Sequence, residues 1–237
     1  MINRFRAVAE TGSTNADLLA LAAAGAEEGL WLRADRQSAG RGRMGRAWAS
    51  PSGNFYGSTL VRPLAGDPPP ASLAFVAAIA LHDTLLRLVP SLSATLKWPN
   101  DVMVGDAKLS GILLERSGEG AVVVGIGVNL AFHPLDVPRP VTSLAAQGAD
   151  VPVPVFQQEL ADRFAAWLAM WRADGLRAIC TEWLARAHRI GTPLSVTEAD
   201  GQVLPGAFDG LAADGALQLR LADGQVRAIH AGDVFLV

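Results

Sequence analysis

Apolar residues recur at helical spacing in two long segments of the chain. Behind the prolines at 68–70, an apolar segment that runs to about Pro90 predicts one long helix, because proline is favoured in the first turn of a helix. A second stripe returns every three or four residues and consists of Phe156, Leu160, Phe164, Trp167 and Trp171. This period is typical of a helix that packs on a core, and we favour that over a partner-binding face.

Shorter patterns predict one more helix and four strands before residue 190. The segment Thr14 to Asp17 has the signature of a helix start. The Thr14 side chain is placed to cap the first turn, and the Asp17 side chain is placed to reach back to the capping residue. That helix should end near Gly25. Apolar β-prone runs predict strands at 30–36, 54–61, 109–115 and 121–130. Cys180 falls in a further helix, where a buried inert thiol is expected.

The sequence pattern changes after Gly191. Asp-Gly pairs begin at residues 200, 209, 214 and 223, and the short segments between them alternate apolar and polar residues, as in 217–221. Asp-Gly between alternating segments indicates β-hairpins. We therefore predict two domains: an α+β body with a mixed sheet packed by helices over 1–190, and a small β-barrel over 191–237.

Composition limits the possible function classes. The chain has 237 residues, is 50% hydrophobic and 18% charged, and carries a formal net charge of -3, which excludes a disordered chain and argues against a protein that coats nucleic acid. One cysteine excludes an internal disulfide and a Cys-rich zinc site, so we expect a reduced, cytoplasmic setting. The longest apolar stretch, 71–81, is shorter than the roughly 20 residues that span a bilayer, so we expect no membrane insertion.

A glycine–arginine loop at 40–46 is the first candidate binding element. Its first six residues match G-x-G-x-x-G, but a dinucleotide fold needs a helix directly behind the glycines, and here a turn-rich approach to a strand follows. The backbone amides of such a loop, with Arg41, Arg43 and Arg46, suit phosphate or carboxylate. A solvated, mobile linker is the alternative that the loop alone leaves open.

The only two lysines of the chain stand in one short segment, 97–108. Since arginine supplies every other basic position, a compact and movable ammonium group is the expected requirement here. Asn100 and Asp101 add an amide and a carboxylate next to the rigid Trp98-Pro99 step. A turn before a strand, with Asp101 in a capping role, would explain the same residues without chemistry.

Taken together, five short motifs make the sequence recognisable. They are 12–15 (GSTN), 37–43 (QSAGRGR), 97–101 (KWPND), 108–113 (KLSGIL) and 125–129 (GIGVN). In this order, and with 52–56 (SGNFY), they closely resemble the biotin–protein ligases, which biotinylate the carrier domain of biotin-dependent carboxylases. The resemblance covers essentially the whole chain and implies a catalytic domain like that of class II synthetases, followed by an SH3-like C-terminal barrel.

The resemblance also implies a reaction and a set of site residues. Biotin and Mg-ATP would give biotinyl-5′-adenylate and pyrophosphate, and a lysine of the biotin carboxyl carrier protein would then take the biotinyl group. The implied biotin-binding residues are Ser13, Thr14, Asn15, Gln37, Gly40, Arg41, Gly42, Arg43, Lys108 and Gly111. The implied nucleotide-binding residues are Arg41, Arg43, Arg46, Trp48, Asn100, Lys108 and Asn129. Lys108, Arg43 and Asp101 are the expected catalytic residues, with Asp101 also the candidate ligand of Mg²⁺.

Two departures and two alternatives accompany this hypothesis. Some relatives carry an N-terminal DNA-binding domain; since Ser13 comes so early, we expect the short form and no DNA binding. The aromatic residue that packs on adenine in better-known members has no counterpart in 138–144.

A lipoate or octanoate ligase or transferase, and a non-catalytic biotin sensor, remain alternatives. Relatives often form homodimers, so one is possible here.

Overall fold

The computed structural model describes residues 3–118, 120–198 and 201–236, and its larger sheet has seven strands. They are β1 (Arg4–Thr11), β2 (Leu30–Gln37), β3 (Phe55–Val61), β4 (Ala94–Lys97), β5 (Asp101–Val104), β6 (Ala107–Arg116) and β7 (Val122–Val128). The spatial order is β1-β2-β3-β7-β6-β5-β4, with β1 parallel to β2 and the other neighbours antiparallel. The mixed sheet and its four predicted strands are confirmed, to within two residues at each end.

Three strands of this sheet were not predicted from the sequence. β4 and β5 have only four residues each, which is too short to show a period of two. β1 lies at the sheet edge with almost every residue exposed. Because neither of its faces is buried, its sequence has no alternating apolar pattern. The strand β5 matters most for function, because it carries Asp101 at its first residue.

Helix α1 (Thr14–Ala23) packs against β3 and β7, whereas helices α2 (Leu73–Leu88) and α3 (Val153–Leu184) pack against one another. The aromatic stripe of α3 faces the core as predicted: Phe156, Phe164 and Trp171 are fully buried, and Phe164 meets Trp31 edge-on at 5.7 Å. Gly175 adopts φ +76° inside α3 and separates the aromatic stripe from the part that holds buried Cys180.

Helix α2 extends beyond the apolar stretch 71–81 from which we expected no membrane span. The segment Pro70–Leu88 is, by length and composition, apolar enough to cross a membrane, because His82 and Asp83 do not end the helix. However, 67% of that segment is buried inside the structure. A buried core helix meets the same length and composition test, and α2 supplies many residues of the core.

The C-terminal module is a five-stranded antiparallel sheet. Its strands are β8 (Pro193–Thr197), β9 (Val203–Leu211), β10 (Leu217–Arg220), β11 (Val226–Ile229) and β12 (Asp233–Leu236), in the order β11-β10-β9-β8-β12. The Asp-Gly pairs at 214 and 223 lie in hairpin turns, as predicted. The pair at 209 does not: it lies within β9, where Gly210 has φ +106° beside a register shift. The first pair includes Asp200, which lies outside the described residues.

The two sheets share one continuous hydrophobic core. Trp183, near the end of α3, contacts Phe75 of α2 at 5.5 Å and Phe208 of β9 at 6.4 Å between ring centroids. The C-terminal module is therefore held against the body by packed aromatic rings. The domain boundary between 190 and 191 stays a prediction.

Candidate active site

One cavity of about 690 Å³ receives side chains from the large sheet, the glycine–arginine loop and the start of β12. Its volume is in the ordinary range for a small-molecule site. It is lined by all of the predicted site residues: Ser13, Thr14, Asn15, Gln37, Gly40, Arg41, Gly42, Arg43, Arg46, Trp48, Asn100, Asp101, Lys108, Gly111 and Asn129. The five motifs, which are far apart in the sequence, are thus brought together around one space.

At one end of the cavity, Gln37 fixes the start of α1. Its Oε1 accepts hydrogen bonds from the Thr14 backbone N–H (2.8 Å) and the Thr14 hydroxyl (3.1 Å), and its Nε2 donates to Ser50 Oγ (3.1 Å). The predicted capping role of Thr14 is therefore wrong. Ser13 holds the N-cap position without a side-chain cap bond, and Asp17 accepts from the Thr11 hydroxyl at 2.5 Å instead of reaching back.

Asn15 and Ser58 extend this polar wall. Ser58 Oγ lies 2.6 Å from Asn15 Oδ1 and 2.8 Å from Thr14 Oγ, while Asn15 Nδ2 donates to Glu115 Oε2 at 2.8 Å. Thr14, Asn15 and Ser58 are all buried. Because the network fixes the orientation of its hydroxyls and amides, it is suited to an uncharged polar group rather than to an aliphatic chain.

The glycines of β6 and β7 leave room for these side chains. A Cβ atom on Gly125 would lie 2.1 Å from Asn15 Oδ1, and one on Gly127 would lie 2.7 Å from Trp48 Nε1. A Cβ atom on Gly111 would lie 3.1–3.2 Å from side-chain atoms of Lys108 and Trp48. The strand glycines therefore keep the floor of the cavity low enough for Asn15 and the Trp48 indole to lie across it.

At the other end, two ammonium groups flank one buried carboxylate. Lys108 Nζ lies 2.5 Å from Asp101 Oδ1, a close ion pair without hydrogen-bond geometry, and Lys97 Nζ lies 3.4 Å from Asp101 Oδ2. Lys108 also lies 5.4 Å from the centroid of the Trp48 ring. This arrangement concentrates positive charge where little water reaches, so an anion placed there would be attracted strongly.

Burial changes the pKa values of two cations at this end. It lowers the pKa of Lys97, and the neighbouring Lys108 charge lowers it further, while Asp101 opposes both. Burial likewise lowers the pKa of Arg43, against the charges of Asp233 and Asp101. Both shifts express the cost of placing a cation away from water, and a bound anion would offset that cost.

The glycine–arginine loop folds over the cavity as a tight turn. Gly42 N–H donates to Arg46 carbonyl oxygen at 2.7 Å, and Met44 holds φ +55° in a short 3₁₀ turn at Arg43–Gly45. No long helix follows: the chain proceeds to β3, so the rejection of a dinucleotide fold is confirmed. Arg41 pairs with Glu115 at 3.4 Å, which connects the loop to the polar wall.

The two asparagines predicted to bind nucleotide also have structural partners. Asn100 Nδ2 donates to the Ile112 carbonyl (2.6 Å), and its Oδ1 lies 3.4 Å from Arg43 Nη1. Asn129 Nδ2 donates to the Thr142 carbonyl at 2.9 Å. Both amides thus brace the backbone at the rim of the cavity, and their role toward a nucleotide stays a prediction.

Several residues of the cavity were not in the predicted site set. They include Ser50, Tyr56, Lys97, Arg139, Asp233 and Val234. Burial raises the pKa of the Tyr56 hydroxyl to about 12, so it stays protonated and donates to the Pro51 carbonyl. Lys97 carried a signal, because it is one of the two lysines, whereas Asp233 and Val234 carried none that is local in sequence.

In the part of the chain that the structure describes, the cavity has no cluster of metal-ligating side chains. Among residues 3–118, 120–198 and 201–236 there is no group of three or more His, Cys, Asp or Glu side chains placed to bind an ion. Asp101 faces the two ammonium groups described above. The role of Asp101 as a ligand of Mg²⁺ therefore stays a prediction.

Comparison with known proteins places the chain in a family. Residues 9–131 match the biotin/lipoate A/B protein ligase family, and residues 190–237 match the biotin protein ligase C-terminal domain. The chain is 42% identical to the biotin–[acetyl-CoA-carboxylase] ligase of Paracoccus denitrificans, over 96% of this chain and 98% of that protein. It is 37% identical to the enzyme of the same name from Mycobacterium tuberculosis, over 96% and 86% of the two chains.

A solved structure shows the same fold. The biotin protein ligase from Aquifex aeolicus, in complex with biotin and ATP, superposes with a TM-score of 0.88 at 24% identity, over the full length of both chains. The predicted fold class, an α+β body with a small C-terminal β module, is therefore confirmed. On the family match and the 42% identity, this chain belongs to the biotin/lipoate A/B protein ligase family.

Proposed function

We propose that this protein is an ATP-dependent ligase that activates biotin as biotinyl-5′-adenylate and then transfers the biotinyl group to a lysine of a carboxylase's biotin carrier protein. The names of the two relatives above support this activity. One observation carries the proposal: a single cavity joins a neutral hydrogen-bonding wall to the Lys97–Asp101–Lys108 cluster, in which Lys97 and Asp101 are buried and Lys108 is partly buried. The substrate it suits has an uncharged polar head and an anionic end.

The neutral wall is the proposed site of the biotin ring. Thr14, Asn15 and Gln37 offer hydroxyl and amide groups to a cyclic urea, which both donates and accepts hydrogen bonds. A site built from such groups discriminates strongly against a substrate that leaves them unpaired. Lipoate and octanoate have no urea group, so this wall favours biotin over both.

The charged end is the proposed site of the first chemical step. An oxygen of the biotin carboxylate attacks the α-phosphorus of ATP, a new P–O bond forms, the bond to the β-phosphate oxygen breaks, and pyrophosphate leaves. Both partners are anions, so fixed cations should supply most of the catalysis. Lys108, beside the Trp48 ring, is the proposed cation at the reacting atoms, and Arg43 is the proposed cation over the phosphates.

Asp101 has a proposed role in each step. In the adenylation step it positions Lys108. In the transfer step the amine of the acceptor lysine attacks the acyl carbon, the C–O bond to AMP breaks so that AMP leaves, and the attacking nitrogen loses a proton. Asp101 is the buried carboxylate within 2.5 Å of Lys108, which makes it our candidate to receive that proton or to orient the amine.

Pyrophosphate–ATP exchange tests the first step directly. We expect exchange with biotin and none with lipoate or octanoate as the acid. Exchange with lipoate or octanoate instead would keep the adenylation chemistry and overturn the substrate. Tight biotin binding without exchange would overturn the enzyme and favour a biotin sensor. Transfer of labelled biotin to a purified carrier domain tests the second step.

A further inference from the structure

Four consecutive residues of the C-terminal module contact four different cations that line the cavity. The strongest contact is between Asp233 and Arg46, whose two terminal nitrogens donate to the two carboxylate oxygens at 2.8 and 2.9 Å. The carbonyl of the next residue, Val234, accepts from Lys97 Nζ at 3.0 Å. Lys97 is only 8% exposed, so this carbonyl and Asp101 are what compensate its buried charge.

Each of the two flanking residues also contacts an arginine, one through a carbonyl and the other through an aromatic ring. The Gly232 carbonyl lies 3.4 Å from Arg43 Nη1, and the Phe235 ring lies 5.4 Å from Arg139 Cζ. Arg43 and Arg139 both line the cavity. The segment 232–235 therefore spans the charged end, with one cation on each successive residue.

The Asp233–Arg46 pair couples this segment to the glycine–arginine loop. Besides its two bonds to Asp233, Arg46 donates from Nε to the Arg43 carbonyl at 3.3 Å. Its backbone carbonyl closes the turn onto Gly42. Arg46 thus joins the body's loop to the C-terminal module, and its guanidinium edge faces Asp233.

We propose that the segment 232–235 is a positioning element of the nucleotide site, and that Asp233 acts through Arg46 to hold the loop and Arg43 where ATP binds. The inference rests on the proposed function. It assigns Arg46 a positioning role in place of the direct nucleotide contact predicted from the sequence. The neutral wall, which the segment does not touch, should bind biotin independently of it.

Charge reversal tests this inference, because a like-charge pair should push the loop away from the module. Asp233→Arg should raise the KM for ATP in the exchange reaction about tenfold or more, with the biotin Kd by calorimetry within about twofold of wild type. Glu198→Arg is the matched control: Glu198 and Arg227 form a 2.8 Å pair in the same module, 21% and 44% exposed, against 22% and 41% for Asp233 and Arg46. It should move neither constant.

The double variant Arg46→Asp, Asp233→Arg separates positioning from direct contact. If the pair acts by position, the double variant should recover most of the ATP affinity that Arg46→Asp alone loses. A double variant as impaired as Arg46→Asp alone would overturn the inference, as would an Asp233→Arg protein that behaves like Glu198→Arg. If Asp233→Arg fails to fold by its thermal transition, Asp233→Asn gives the same comparison with a smaller shift in KM. Absence of biotin-dependent exchange in the wild type would instead overturn the proposed function.

Discussion

The neutral end of the cavity, around Thr14, Asn15 and Gln37, differs from the charged end, around Lys97, Asp101 and Lys108, in what holds each side chain. At the neutral end, side-chain hydrogen bonds link α1 to β2, β3 and β6, all within the body. At the charged end, a hydrogen bond from Lys97 to the Val234 carbonyl and the Arg46–Asp233 ion pair connect the body to the C-terminal module. Under the proposed function, recognition of biotin would be preformed within the body, whereas the electrostatics of ATP binding would depend on how the two sheets are assembled.

The largest expected effect is on the charged end. Lys108→Ala should lower the rate of pyrophosphate exchange about 10²–10³-fold, or about 2.7–4 kcal/mol, because it removes a cation from the reacting atoms. Exchange rates at saturating biotin and ATP measure this. Arg116→Ala, at the exposed far end of the same strand, should leave the rate unchanged. An unaffected rate in Lys108→Ala would contradict the proposed site.

A methyl group at Gly125 should break the neutral end. Its Cβ would lie 2.1 Å from Asn15 Oδ1, so Asn15 must move, and overpacking of this kind costs about 1–3 kcal/mol. We expect Gly125→Ala to weaken biotin binding about 30-fold by calorimetry. Gly118→Ala is the matched control, because nothing lies within 4 Å of its Cβ position. Equal biotin affinity in both variants would show that Asn15 does not shape the site.

A smaller effect is expected from removing the Gln37 amide. Gln37→Leu keeps the volume but leaves the Thr14 N–H and the Ser50 hydroxyl without this partner, which costs about 1–3 kcal/mol of unfolding free energy. The KM for biotin should rise about tenfold with kcat little changed, since the lost contact is far from the reacting atoms. Gln158→Leu, on the exposed face of α3, should change neither. A fall in kcat alone would contradict the assignment of this end to binding.

The smallest effect on catalysis is expected at Asp83. This carboxylate pairs with Arg186 outside the cavity, so it provides a structural comparison for Asp101, which lines the cavity. Burial alone would raise the pKa of Asp83, but the His82 imidazole 3.5 Å away, a hydrogen bond from Arg186 and the Arg186 charge lower it to about 2. Ionised Asp83 therefore stabilises the fold above its ordinary pKa near 3.8, and this contribution is lost as the pH falls from there toward about 2.

Asp83→Asn should lower the unfolding free energy at pH 7 by about 2 kcal/mol, and this difference should shrink below pH 4. Urea unfolding at several pH values measures it. Pyrophosphate exchange at pH 7 should be unchanged, in contrast to Asp101→Asn, which should reduce it. A difference in stability that does not vary with pH would contradict the ion-pair origin.

Much of this protein was determined by local sequence. The helical period of the aromatic stripe predicts α3, because burial on one face of a helix enforces that period. The β-prone runs around 55–61 and 122–128 predict strands that the structure contains and buries on both faces. The motifs around Gln37, Lys97 and Lys108 likewise identified the residues of the cavity. Such signals are local because the chemistry of a motif depends on its own residue types.

Tertiary structure decided what those residues contact. The sequence around Thr14 predicts a helix cap, yet its hydroxyl bonds to Gln37 of β2 and Ser58 of β3. Gly125 is required because Asn15 crosses the sheet there, and Asp233 meets Arg46 from the other sheet although 187 residues separate them. No sequence period encodes such contacts, because they depend on how separate elements pack. The residue types of the site are thus set by the sequence, and their partners by the assembly of the two sheets.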